Sequence, residues 1–328
     1  MQAKRTHSHL GTLLVLVFWL VVLGVVYANQ QRITDWWKLR GYTPSSQVSS
    51  LATQNTMSDY AKHLFYVNKP EIIGGEAFTA DCPTGGEKTI VLGCYQSKDR
   101  GIFLYKVEDQ RLDGVVQVTA AHEMLHAAYD RLSDEERSRV DSMLESFYKT
   151  GLSDQRVKDT IAAYKDSEPS EIDNEMHSIF GTEVANLPKE LETYYTQYFK
   201  NRQAVVQFAT DYQAEFTSRQ NQVETYDAQL KALKQTIDAN EKTLATMRAS
   251  INALRDELDS LKAAQNYEAY NAKVSSYNQS VRAYNVLLAQ TRTAIQQYND
   301  IVDARNAIAL EEEQLVQAIS AQSLPSAQ

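Results

Sequence analysis

At 328 residues the chain is long enough for one catalytic-sized domain with an extension, or for two small domains. It carries 33 Lys and Arg against 42 Asp and Glu, a formal charge of −9 with no basic block, which argues against nucleic acid as a partner. Glycine numbers 12 and proline 6, and neither occurs between Pro188 and Pro325, which predicts a helical stretch of unusual length.

Leu10 to Tyr27 is an uncharged apolar run, LGTLLVLVFWLVVLGVVY, which reaches the lower end of what crosses a bilayer as a helix. A cleaved signal peptide competes with a retained anchor, because Val26-Tyr27-Ala28 resembles a small-residue cleavage site; the length of the run favours the anchor. Arg32, Lys38 and Arg40 balance Lys4 and Arg5, so the charge rule does not orient the span. The cysteines do. Cys82 and Cys94, twelve apart around Pro83-Thr84-Gly85-Gly86, suit a local disulfide in an oxidising compartment, the alternative being two unrelated thiols. Residues 1–9 then read as a short cytoplasmic tail, 10–27 as a single-pass anchor in the cell membrane, and the body as extracytoplasmic.

Residues 28–45 read as a stalk, with Trp36 and Trp37 placed for the membrane interface and Gly41 to Ser46 as linker. From 46 to 200 the composition is globular. Thr89–Cys94 and Gly101–Val107 are β-rich runs around a polar turn, Gln96 to Arg100, and predict a hairpin. Asp113-Gly114 opens a helix through about Leu132, and Ser133-Asp134-Glu135-Glu136 is a capping box for the next, which stops near Gly151. Further helices cover about 154–165 and the stretch from Pro169 through Phe180, with Gly181 placed to end it; Asn186 and Pro188 begin the last helical region. The fold class expected is α+β, mostly helical.

Within the first of these helices stands His122-Glu123-Met124-Leu125-His126. Two His four apart lie one turn apart on one helix face, so both imidazoles can reach one ion, and the Glu beside the first can take a proton from a water activated there. Zinc at a catalytic site needs three protein ligands and an open position. Tyr129 and Leu132 stand where a metzincin has Gly and His, so the third ligand is sought downstream, in Glu171 to Ser178. There Asn174-Glu175-Met176-His177-Ser178 resembles the Asn-Glu-x-x-Ser string of the gluzincins, the thermolysin-like zinc peptidases, and Asp130, four after the second His, matches an Asp of that group. The resemblance covers some fifteen residues. It implies a zincin-like catalytic domain, Zn2+, peptide-bond hydrolysis, Glu175 as third ligand and Asp130 as a supporting acid. It departs from the family in the longer gap between His126 and Glu175 and in Ile179 where an acid is usual, so Glu171 stays as a rival ligand, with Glu183 and His177 behind it. His177 reads either as a catalytic hydrogen-bond donor to the oxyanion or as a packed helix histidine, and Tyr129 as a second donor or as core.

From Val223 apolar positions step by three and four: Val223, Tyr226, Leu230, Leu233, Ile237, Asn240, Leu244, Met247, Ile251, Leu254, Leu258 and Leu261. A second arm repeats the pattern: Tyr270, Val274, Tyr277, Val281, Tyr284, Leu288, Thr291, Ile295, Tyr298, Val302. Folding back near 263–269 gives a long antiparallel coiled-coil hairpin over 205–320, with a parallel dimer as the alternative and 321–328 as a disordered tail. The expectation is a membrane-anchored, extracytoplasmic zinc metallopeptidase with its catalytic domain at 46–200. Its partners are a protein or peptide substrate and, through the coiled coil, an envelope protein. The alternative is a coiled-coil envelope scaffold whose zinc domain is inert or structural.

Overall fold

The structure, a computed structural model, describes residues 9–82, 91–97 and 101–320, with side chains from residue 13 onward. The expected tails at 1–8 and 321–328, the turn at 83–86 and residues 98–100 lie outside the described residues. The chain divides into two compact units, residues 1–212 with 319–328, and residues 213–318.

The first unit opens with α1 (His9–Ala28) and α2 (Gln30–Leu39). From Leu13 to Tyr27 the large apolar side chains of α1 are exposed, except Val22, which is partly covered. Among the described residues no single helix is long and apolar enough to cross a membrane; α1 and α2 meet that requirement only as a pair bent by 60°. The expected stalk is therefore a helix in its own right. Three short helices follow, α3 (Ser46–Gln54), α4 (Asp59–Val67) and α5 (Gly75–Asp81), with Ser45 and Ser58 capping the first two by accepting from Val48 and Ala61 amides.

Strands β1 (Glu71–Ile73), β2 (Gly93–Gln96) and β3 (Gly101–Tyr105) form one sheet in the order β1-β3-β2. β2 and β3 pair antiparallel, as the hairpin pattern predicts; β1 adds parallel to β3, with Glu71 opposite Phe103. A disulfide joins Cys82, at the end of α5, to Cys94 in β2.

A 3-10 turn, Gln110–Leu112, leads into α6 (Val115–Tyr129), which carries the His-Glu-Met-Leu-His segment. Gly114 starts it with φ 102°, and a Cβ there would lie 2.8 Å from the Phe208 carbonyl, so the position requires glycine twice over. α6 is apolar on nearly all sides, and the core forms around it. Met124 and Leu125 pack with Leu64 and Phe65 of α4, with Ile102 and Leu104 of β3, and with α7 (Asp134–Thr150) and α9 (Ile172–Glu183). The capping box at Ser133 is formed in both directions with Glu136. Between α7 and α9 lies α8 (Gln155–Ser167), packed on α9.

Three boundaries differ from expectation. β2 runs Gly93–Gln96, later than the expected Thr89–Cys94, whose first two residues lie outside the described residues. α9 runs through Gly181 instead of ending there: a Cβ at 181 would come within 2.4 Å of Leu125 and 2.9 Å of Tyr195, so this glycine is a close-packing position. The last helical region is also interrupted. α10 (Lys189–Tyr195) stops, and α11 (Arg202–Ala263) begins only after Phe199 has bridged to Met57. Tertiary burial of Tyr195, Tyr198 and Phe199 breaks the helix there without Gly or Pro.

The second unit consists of the distal part of α11 and most of α12 (Tyr267–Ile319). The positions stepping from Val223 to Leu261 are each half-buried or buried, and the residues between them are exposed. In α12 the expected positions are half-buried or buried except at Ile295, which is exposed while its neighbour Ala294 is buried, a correction at that one position; Tyr298 and Val302 return to the expected stripe. Asp227 pairs with Arg305, Arg219 with Glu311 and Glu257 with Lys273. Partners move down one helix as they move up the other, so the two helices run antiparallel. The reversal uses neither Gly nor Pro. Gln265 takes a left-handed conformation, φ 57°, and the Asn266 side chain accepts from the Ala269 amide to start α12.

Candidate metal centre

α6 and α9 pack closely and bring three donors together: one ligand atom each from His122, His126 and Glu175 lies within 4.8 Å of the others. His122 Nε2 is 3.6 Å from Glu175 Oε2, and His126 Nε2 is 3.5 Å from Oε1. These separations are long for hydrogen bonds. They suit three donors aimed at a common ion, since two ligands at about 2.1 Å in tetrahedral array lie roughly 3.4 Å apart. Glu175 Oε2 is buried and has no hydrogen-bond partner, which is costly unless a cation completes it. Burial pushes the Glu175 carboxyl up, but His126 and His122 outweigh it and hold it below its ordinary value. The donor set, two imidazoles and a carboxylate, is the nitrogen and oxygen chemistry zinc takes.

The other expected residues fall as follows. Glu123, 5% exposed, lines the same cleft as the two histidines, a space of about 680 Å3. It lies under β2: a Cβ at Gly93 would meet Thr119 Cγ2 at 2.5 Å and Glu123 Oε1 at 2.9 Å, so only glycine lets the strand approach. Glu171 lines the cleft but is exposed at the start of α9, outside the group of three donors. Glu183 also faces the cleft and pairs with Arg156 at 2.7 Å.

One role is corrected, that of His177. Asp130, exposed at the C-terminus of α6, lines the cleft, and the partner of His126 Nδ1 is Asn174 Oδ1, at 2.9 Å. Asn174 in turn donates to Glu171, at 3.5 Å. In the sequence Asn174 stands one residue before Glu175, but its contact with His126 becomes visible only in the fold. His177 is fully buried and does not line the cleft. One turn beyond Asn174 on α9, it points into a cage of Tyr129, Tyr194, Tyr195 and Tyr198, with Nε2 2.9 Å from the Tyr194 hydroxyl. Burial, with the two cleft histidines adding to it, pushes His177 down to about 3, so it is a neutral packing group. Tyr129 is core as well, donating to Asp141 at 2.7 Å.

Comparisons with protein-family models, with curated proteins and with solved structures return no match to this chain.

Proposed function

We propose that the protein is a membrane-anchored, extracytoplasmic zinc peptidase of the gluzincin type. The convergence of His122, His126 and Glu175 in the wall of an open cleft, with Glu123 beside them, carries this reading. Three protein donors leave a fourth position for water or substrate, which favours a catalytic over a purely structural centre. A zinc ion bound there supplies Lewis acidity, making a water acidic near neutral pH and drawing electrons from a peptide carbonyl. The chain's own residues do the rest. Asn174 fixes the tautomer of His126 by accepting from Nδ1, which leaves Nε2 free to bind. Glu123 takes the proton of the attacking water and returns it to the departing amine. Gly93 keeps β2 close over that carboxylate.

The anchor belongs to the same reading: the apolar side chains of α1 are exposed and need a lipid environment, and a disulfide suits an oxidising compartment. So does the coiled-coil hairpin, supported by the seam of α11 and α12 and their antiparallel ion pairs; it offers a surface for an envelope partner. The test is hydrolysis of a broad peptide library by the full chain. The wild type is expected to cleave and Glu123→Gln to lose about 100-fold or more while keeping its metal. A wild type that holds zinc and cleaves nothing would favour the scaffold.

A further inference from the structure

The short helix after the apolar segment has two faces of opposite character. At i, i+3, i+4 and i+7, Ile33, Trp36, Trp37 and Arg40 form one stripe; Trp36 is 59% and Trp37 61% exposed. The Arg40 guanidinium lies 5.5 Å from both indole rings. On the opposite face Asp35 is buried, at 4% exposure. It accepts two hydrogen bonds from Arg131, at 2.7 and 2.9 Å, and one from His63 Nε2 at 2.8 Å. Arg131 follows directly on α6, the helix that carries His122 and His126.

We propose that the Ile33-Trp36-Trp37-Arg40 stripe rests on an anionic lipid surface, and that Asp35 clasps this helix to the end of the metal-bearing helix. The inference rests on the anchor reading of α1. Three observations select lipid as the occupant. The stripe continues from α1, whose apolar side chains are exposed, after a single break at Asn29. The 60° bend turns α2 away from the axis of α1; on the anchor reading of the apolar run 10–27, that lays α2 toward the plane of the bilayer. The chemistry is that of an interfacial belt: two indoles with Arg40 over both rings and Arg32 exposed nearby, while the one acid of the helix is buried and paired. The consequence is mechanical. A helix seated on lipid and locked to Arg131 sets the distance of the cleft from the membrane, which restricts substrates to segments lying close to the surface.

The test uses the full chain with Trp19→Phe, which leaves Trp36 and Trp37 as the only tryptophans, in vesicles of phosphatidylcholine and phosphatidylglycerol. Lipids brominated near the headgroup should remove about half of the emission and lipids brominated deep in the acyl chain much less, as for an aromatic belt. Hydrogen exchange of the α2 amides should quicken about tenfold in Asp35→Asn and in Arg131→Gln, which remove the clasp from either side. If the protein resists alkaline carbonate extraction but its tryptophans are not quenched at any depth, the lipid stripe is wrong and the anchor stands. If carbonate releases the protein, the anchor reading fails and the stripe with it. Self-association abolished by Trp36→Ser and Trp37→Ser would replace lipid with a second copy of the chain. Unchanged exchange in both clasp variants, with the fold intact, would overturn the clasp.

Discussion

At the residue scale the site depends on groups that hold the donors as much as on the donors. Asn174→Ala removes the acceptor for His126 Nδ1 and frees the imidazole to adopt the other tautomer. Zinc affinity measured by competition with a chelator is expected to fall about 10- to 100-fold, without loss of helix content by circular dichroism. Gly93→Val forces a branched side chain into Thr119 and Glu123. It should keep the metal and lower kcat/KM about tenfold or more, since a small displacement of a general base is costly; full activity would show that β2 does not set the position of Glu123. His122, Glu123 and His126 were legible as a motif because the chemistry fixes their spacing within one helix. The place of His177 was not, because it depends on which side of α9 faces α6. A helix turned by one residue exchanges a cleft position for the tyrosine cage.

At the element scale the helices from α6 to α9 and the β2–β3 hairpin followed from one capping box, turn residues and hydrophobic period, whereas α2 to α5, short and with little periodic pattern, did not. β1 did not, since three residues carry too little pattern, and neither did the break at Thr196–Asn201, which is enforced by burial of aromatics. Gly181 shows the same limit: from sequence a glycine late in a helix reads as a stop, whereas in the structure it admits Leu125 and Tyr195. Gly181→Ala is expected to destabilise by about 1–3 kcal/mol in urea unfolding, as overpacking does. The Asp35 clasp is testable in the same way. Burial pushes the Asp35 carboxyl up, yet hydrogen bonds from Arg131 and His63 outweigh that and hold it below its ordinary value near 3.8. A depressed carboxylate contributes stability above its unfolded value and loses it as pH falls through the folded one. The wild type should therefore weaken below about pH 4, and Asp35→Asn should lack that component of the acid decline. At neutral pH the variant should lose on the order of 2–3 kcal/mol, less than a wholly buried pair because Arg131 keeps contact with solvent.

At the scale of the whole molecule each unit has its own test. In residues 213–318 the heptad stripe was legible because a seam must repeat every three and four residues wherever two helices stay in contact; the shift from Ile295 to Ala294 was not, since it depends on local register. Cysteines introduced at Val223 and Ile308 should cross-link within one chain, and products exclusively between chains would replace the hairpin with a dimeric coiled coil. For the first unit the test is the proposed zinc site. The most direct measurement is the zinc content of the purified full chain beside that of Glu175→Ala. The account expects about one zinc per chain in the wild type, as three protein donors require, and close to none in the variant. Zinc retained at the wild-type level in Glu175→Ala, or absent from the wild type after zinc loading, would contradict it.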